Sequence, residues 1–313
     1  MNLRDLRYII SVADLGHFGQ AAQACNVSQS TLSGQILKLE EELGVAVFER
    51  AGKKVRLTPV GEQIVAHARR SVAASADIVA AARASRDPLS GAIRLGVIPT
   101  IAPYLMPYAL PAATKAMPRA PLTLIEDMTG RLTPMLAGGD LDAAILATDV
   151  EGDRLDEIVL YEEPFLLVMS GDHPLAGRAS VDVASIDPAS LLLLTDGHCL
   201  RDQALDLCDQ TRTGAAADVR AASLETLMQL AAANYGLTLA PSLAVAGLGG
   251  ESRFVAKPIV GGKASRRVRL AYRRDMPRKA ALETLAAAIK SGVAAAVGRN
   301  RIVIGHADCR GRN

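Results

Sequence analysis

The chain has 313 residues, half of them apolar, and its 35 basic and 33 acidic side chains leave a net charge of +2. That length suits two or three domains, and so small a charge excludes a globally basic nucleic-acid coat, so any such site must be a local cluster. Trp is absent and aromatics make up 3% of residues, so Ala, Leu and Val fill the interior of packed helices and α/β layers.

The N-terminal segment carries Arg4, Asp5, Arg7 and Asp14 among its apolar residues. It reads as neither a signal peptide nor a membrane span, and no run of about 18 uncharged apolar residues occurs later. A reducing cytoplasm is the expected compartment. Leu3, Leu6, Ile9, Ile10 and Ala13 define a first helix, and Gly19 to Ala24 a second. After the turn Cys25-Asn26-Val27, Ser28 caps a third helix, Gln29 to Leu43, which Gly44 stops. Its apolar face is Leu32, Ile36, Leu39 and Leu43. The opposite face is small and polar: Gln29, Ser30, Thr31, Ser33, Gly34 and Gln35. This pattern predicts a helix-turn-helix whose second helix enters a DNA major groove. Small hydroxyl and amide groups there reach base edges or phosphates unobstructed.

Residues 48–58 predict a hairpin with Gly52 in its loop and Arg50, Lys53, Lys54 and Arg56 clustered. Beside a helix-turn-helix this is a wing whose cations meet phosphates. Residues 1–58 thus form the DNA-binding domain. Thr58-Pro59 opens a long helix to about Ser85. Val65, Ala68, Val72, Ser75, Val79 and Ala82 alternate spacings of three and four, a heptad seam that predicts pairing with a second copy. The competing reading buries this helix against its own domain. Residues 59–88 form this linker and hinge.

From Gly91 onward strands and helices alternate. Strands are predicted at Ala92 to Ile98, Leu122 to Glu126, Leu141 to Leu146, Glu157 to Tyr161, Phe165 to Met169, Leu191 to Leu194, Leu237 to Ala240 and Val268 to Tyr272. Helices are predicted at Tyr104 to Met117, Arg131 to Ala137, Leu200 to Gln210, Leu224 to Ala233 and Arg278 to Val297. This is an α/β domain, residues 89–297, with a mainly parallel sheet and room for two lobes around a cleft. Residues 298–313 read as a basic, loose tail.

The four cysteines, Cys25, Cys199, Cys208 and Cys309, are too few for a disulfide framework. Cys199 sits where a strand turns into a helix, and the free N–H groups there favour a thiolate. His198 and Arg201 add positive potential. An unbroken helix rises about 13–14 Å over nine residues and turns about two and a half times, which sets Cys199 and Cys208 on opposite faces. A disulfide needs Cα atoms within about 7 Å, so bridging requires the helix to rearrange. Two readings stay open on the residues alone: a redox switch, or two unrelated cysteines.

Gln20-Ala21-Ala22, Val27 through Ser33, Leu39 through Gly44 and Phe48-Glu49-Arg50 resemble the winged helix-turn-helix of LysR-type transcriptional regulators. Within that family, Asp196 through Ala204 with Cys208, Gly96 through Thr100 and Ser223 through Leu227 resemble the peroxide-sensing members. The resemblance runs to about Val297. It implies a homotetrameric regulator, assembled from dimers, that binds double-stranded promoter DNA, works with RNA polymerase and activates antioxidant genes. It implies a two-lobed, periplasmic-binding-protein-like regulatory domain and no cofactor or metal. It also implies that Cys199 is the peroxidatic thiol and Cys208 the resolving one. Thr100, Thr129, His198 and Arg266 would hold hydrogen peroxide or shape the thiolate. Asp218 departs from the family's histidine.

The chemistry agrees: a thiolate attacks one peroxide oxygen while hydroxyl donors steady the leaving hydroxide, and a second thiol converts the sulfenic acid to a disulfide. The alternatives are a LysR-type regulator that binds a small metabolite in its cleft, a thiol peroxidase, and a metal site at His198, Cys199 and Cys208. The DNA-binding segment argues against an enzyme, and the ligand spacing fits no zinc pattern.

Overall fold

The computed structural model describes residues 1–49, 55–150, 152–207, 220–247, 254–262 and 264–300. The predicted wing residues Arg50, Lys53 and Lys54 lie outside the described residues, as do Cys208, Asp218 and Cys309. The chain divides into two compact units, one of Met1–Arg86 with Met135–Asp140, the other of Asp87–Pro134 with the chain from Leu141 onward.

In the first unit, α1 (Leu3–Leu15) starts on a capping box: the Asn2 side chain accepts from the Arg4 and Asp5 N–H groups, and Asp5 accepts from the Asn2 N–H. Helix α2 (Phe18–Ala24) and helix α3 (Gln29–Leu43) follow. Ser28 Oγ accepts from the Thr31 N–H at 3.1 Å, and Gly44 closes α3 at φ 71°, as the sequence predicts. Strands β1 (Phe48–Glu49) and β2 (Arg56–Leu57) pair antiparallel and form the expected hairpin. Glu40 accepts from the N–H groups of Val47 and Phe48, which fixes the hairpin to α3.

Helix α4 (Pro59–Ala84) corrects half of the predicted seam. Val65 and Ala68 are buried in the unit's own core with Leu6, Ile9, Val12, Leu32 and Ile36, and Val72 packs against that core. The intrachain reading holds there, because α1 covers the first turns of α4. Farther along, Val79 and Ala82 are exposed, and so is Ile78.

The second unit runs β3 (Ile93–Val97), α5 (Ala102–Ala116), β4 (Leu122–Glu126), α6 (Thr129–Gly138), β5 (Ala143–Leu146), β6 (Leu155–Ser170), β7 (Val181–Asp182), β8 (Leu193–Leu194), α7 (Cys199–Leu207), β9 (Arg220–Ala221), α8 (Leu224–Ala232), β10 (Thr238–Pro241), α9 (Ser242–Gly247), β11 (Phe254–Val260), β12 (Ser265–Arg273) and α10 (Lys279–Asn300). Helix α10 passes Gly298, so the predicted tail begins later than expected. The main sheet has the order β4-β3-β5-β12-β6-β11-β7, with β10 also on β6.

The sheet is mixed rather than mainly parallel. β3 is parallel to β4 and β5, but β12 is antiparallel to β5 and β6, and β10 and β11 are antiparallel to β6. The two strands predicted around Glu162-Glu163-Pro164 are one strand, β6. Its first part pairs with β12 and its last part with β10 and β11, so β6 belongs to both lobes. All four leucines Leu191 to Leu194 are buried, yet only Leu193–Leu194 form a strand, parallel to β9. The sequence reading missed β7, β9, β11 and α9. Lys257 and Pro258 interrupt the apolar pattern of β11, and α9 is only 6 residues long.

Candidate functional site

The stretch between β8 and α7 is bent toward the opposite lobe. Gly197 has φ +95°, and a Cβ there would fall 2.7 Å from Met128 Sδ. Only glycine combines that backbone with that approach. Arg201 does not serve the thiol as expected. Its Nε pairs with Asp196 at 3.0 Å and its Nη1 donates to Leu194 O at 3.2 Å, so it braces the turn.

Cys199 is the first residue of α7 and is buried, with Leu200 and Ala204 held in the core of the second lobe. Burial pushes its thiol above the ordinary value. The Arg266 charge, the Thr129 hydroxyl and the Leu200 N–H draw it back down, and Asp202 adds to the rise. The expected depression by the helix start is therefore outweighed by desolvation. His198 is also buried, its Nε2 has no hydrogen-bond partner, and burial lowers its pKa. Burial disfavours the charged form of this histidine, so it adds less positive potential than the sequence suggests. The Thr129 hydroxyl, at the start of α6, is buried with no partner of conventional geometry, yet lies near enough to the sulfur to lower the thiol's pKa.

Arg266 is the centre of the network. It stands on β12 opposite Glu163 on β6. Its Nε donates to Glu163 Oε2 at 2.9 Å, its Nη1 to Thr100 Oγ1 at 3.1 Å and its Nη2 to Thr100 O at 3.0 Å. The structure thus brings Thr100, Thr129, Arg266 and Cys199 into one neighbourhood. Sequence reasoning missed Glu163. Its only sequence signal is an acidic pair set in an apolar run, Tyr161 to Phe165, and that has no meaning until β12 lies beside it. Gln203 was also missed. One turn along α7 from Cys199, it donates to Ala147 O at 2.8 Å across the lobes. Beside these residues opens a cavity of about 510 Å³, lined in part by Thr148, Gln203, Ser265, Arg266, Arg267 and Arg269.

In the first unit, Gln29, Ser30 and Thr31 are exposed at the start of α3, and Ser33, Gly34 and Gln35 are half-buried. A Cβ on Gly34 would meet nothing within 4 Å, so this face stands open. Ser28 Oγ lies 2.7 Å from Thr31 Oγ1 and 2.9 Å from Ser30 Oγ, which organises the hydroxyls before any ligand arrives. Arg56 is exposed on β2. No described helix is long and apolar enough to cross a membrane.

Residues 3–62 match the bacterial regulatory helix-turn-helix protein family of LysR type, and residues 86–294 match the LysR substrate-binding domain. The chain is 40% identical over 291 residues to the DNA-binding transcriptional dual regulator OxyR of Escherichia coli K12, covering 93% of this chain and 95% of that protein. Among solved structures, a full-length OxyR variant from Pseudomonas aeruginosa aligns with TM-score 0.78 at 39% identity, covering 93% of this chain and 95% of that one. A hydrogen-peroxide-bound OxyR mutant from Corynebacterium glutamicum aligns with TM-score 0.63 at 33% identity, covering 95% and 94%. With a helix-turn-helix ahead of a two-lobed regulatory domain, and both halves matched, this chain belongs to the LysR family of bacterial transcriptional regulators.

Proposed function

We propose that the protein senses hydrogen peroxide through Cys199 and changes transcription in response; relatives 40% identical to it carry the name hydrogen peroxide-inducible genes activator. The observation that carries this reading is the setting of Cys199: a buried thiol at a helix start, close to the Thr129 hydroxyl and to the fixed charge of Arg266. The Cys199 sulfur attacks one peroxide oxygen and the O–O bond breaks. The other oxygen leaves as hydroxide, steadied by Arg266 and the threonine hydroxyls, and takes a proton to become water. The resulting sulfenic acid then condenses with the Cys208 thiol, forming the S–S bond and releasing a second water. Closing that bridge remodels α7, which runs from Cys199 to Leu207: the helix spans about 12 Å, and a residue one step beyond its end comes within the roughly 7 Å that a disulfide needs only if the helix gives way.

The DNA-binding residues in this reading are Gln29, Ser30, Thr31, Ser33, Gly34 and Gln35 on α3, with Arg50, Lys53, Lys54 and Arg56 meeting the DNA backbone. The partners are double-stranded promoter DNA and RNA polymerase, in a cytoplasmic homotetramer that signals rather than turns over substrate. Pairing of copies falls to the exposed end of α4. Val79→Glu should therefore yield smaller species in sedimentation without unfolding the first unit, and an unchanged oligomer would move the contact elsewhere.

The deciding experiment treats the full-length protein with peroxide. Mass spectrometry should find a Cys199–Cys208 linkage, and Cys199→Ser should abolish the shift of the DNA footprint. A normal footprint shift in Cys199→Ser would overturn the reading. One observation favours the second reading, a metabolite-responsive regulator: the cavity beside Arg266 is large enough for a small ligand, and its wall carries both cations and carboxylates, Arg267 with Asp149, Glu162 and Asp206, which suits a polar one. In that case the response survives the loss of Cys199.

A further inference from the structure

We propose that Glu163 is a positioning residue for the Cys199 thiol: its buried carboxylate seats the Arg266 guanidinium against Thr100 and offsets its charge. The inference rests on Cys199 being the reacting thiol.

The geometry is closed on every side. Glu163 and Arg266 face each other across the β6–β12 ladder, and each side chain is 1% exposed. Glu163 Oε2 takes Arg266 Nε at 2.9 Å and Nη2 at 2.8 Å, while Oε1 accepts the Leu243 N–H at 2.9 Å. Both carboxylate oxygens are occupied, so the group cannot rotate away. The guanidinium's other edge is held by the Thr100 hydroxyl and carbonyl. One carboxylate therefore connects α9 in one lobe, through Arg266, to the Thr100 loop of the other.

The charges around this pair register both partners. The Tyr161 hydroxyl is raised by burial first and then by Glu163, while Arg266 opposes the rise. Tyr104 is raised to about 12 by burial and by Glu225, again with Arg266 in opposition. Cys199 feels Arg266 as the leading influence against its burial, with Thr129 and the Leu200 N–H on the same side and Asp202 on the other. Inside a protein such fields are weakly screened. A guanidinium stripped of its carboxylate acts on the sulfur with its full charge, and one held by the carboxylate acts with part of it. Glu163 thus sets how far Arg266 activates the thiol before peroxide arrives.

The test follows Cys199 alkylation by iodoacetamide against pH in the full-length protein, read on the Cys199 peptide by mass spectrometry. Wild type, Glu163→Gln, Arg266→Gln and the double variant are compared. Glu163→Gln keeps the side-chain size and one acceptor oxygen but removes the charge. Its midpoint should move to lower pH, with labelling at pH 7 about threefold faster, a change of about half a pKa unit. Arg266→Gln and the double variant should superimpose, because Glu163 acts only through Arg266. An unchanged or raised midpoint in Glu163→Gln overturns the proposal. If that variant does not fold, the remaining pair decides. Superimposed curves for Arg266→Gln and the double variant support the proposal, and divergent curves overturn it. Wild-type Cys199 that peroxide leaves unoxidised would instead remove the sensing function, and the alkylation comparison would still report on Glu163.

Discussion

Helix α3 begins in water and helix α7 begins inside the protein. The start of α3 draws everything it needs from its own neighbours in sequence: Ser28 caps it, Thr31 and Ser30 share the cap's hydroxyl, and solvent surrounds the rest. The start of α7 has local support from the Leu200 N–H and the Arg201–Asp196 brace, but the groups around its thiol come mostly from elsewhere in the chain. Thr129 comes from α6, Arg266 from β12, and the seat of Arg266 from Glu163 and the Thr100 loop. In the proposed function, the first arrangement presents polar groups for a large partner to read, and the second hides one nucleophile and tunes it from a distance. An exposed recognition surface tolerates local design, whereas a buried reactive group needs the whole topology to hold it.

Substitutions that disturb one helix start and not the other sharpen this contrast. Arg266→Met carries the largest expected cost. It leaves the Glu163 carboxylate buried without its cation, and loss of one partner of a buried pair costs about 3–5 kcal/mol. Urea unfolding should show this loss in the second unit, and Arg266→Met with Glu163→Leu should recover much of it. Full stability in Arg266→Met alone would mean that the pair contributes little.

Gly197→Ala comes next. It forces a side chain onto a positive φ and into Met128, at a cost of roughly 1–3 kcal/mol. Because the strain lies in the turn before α7, Cys199 alkylation should change along with stability. A stability loss with unaltered Cys199 labelling would separate the turn from the thiol. Ser28→Ala is the smallest, about 1 kcal/mol from the lost cap. It should weaken specific DNA binding in a titration and leave peroxide oxidation of Cys199 at the wild-type rate. A slower oxidation would break the independence of the two helix starts.

The same contrast explains what the sequence made legible. Ser28, Gly44 and the Leu32-Ile36-Leu39 stripe define α3 completely, since caps and periodicity are local signals. The cysteine-bearing turn was visible for the same reason, through Asp196-Gly197 and the leucines before it. Arg201 and His198 were misjudged because a charge's role depends on what else is near. Asp196 occupies Arg201, and burial disfavours the charged form of His198. Glu163 was invisible because its meaning lies in the register with Arg266, a long-range pairing. The first turns of α4 show a third case: Val65 and Ala68 fit a seam with another copy and a core with α1 equally well, and only packing separates the two.

Strand β6 runs for 16 residues, with one irregularity at Leu160 in its pairing with β12, and is bonded into both lobes. Two lobes that share one strand cannot exchange their amides independently. Opening the β12 side of β6 frays the same strand that carries β10 and β11, so the two halves are joined in a single cooperative unit. In native-state hydrogen exchange, the amides of Ile158 to Leu160 and of Leu166 to Val168 are expected to respond together to denaturant. A change at α7 would then be felt along β6 as a bend in a common spine rather than as the swing of two bodies on a free joint.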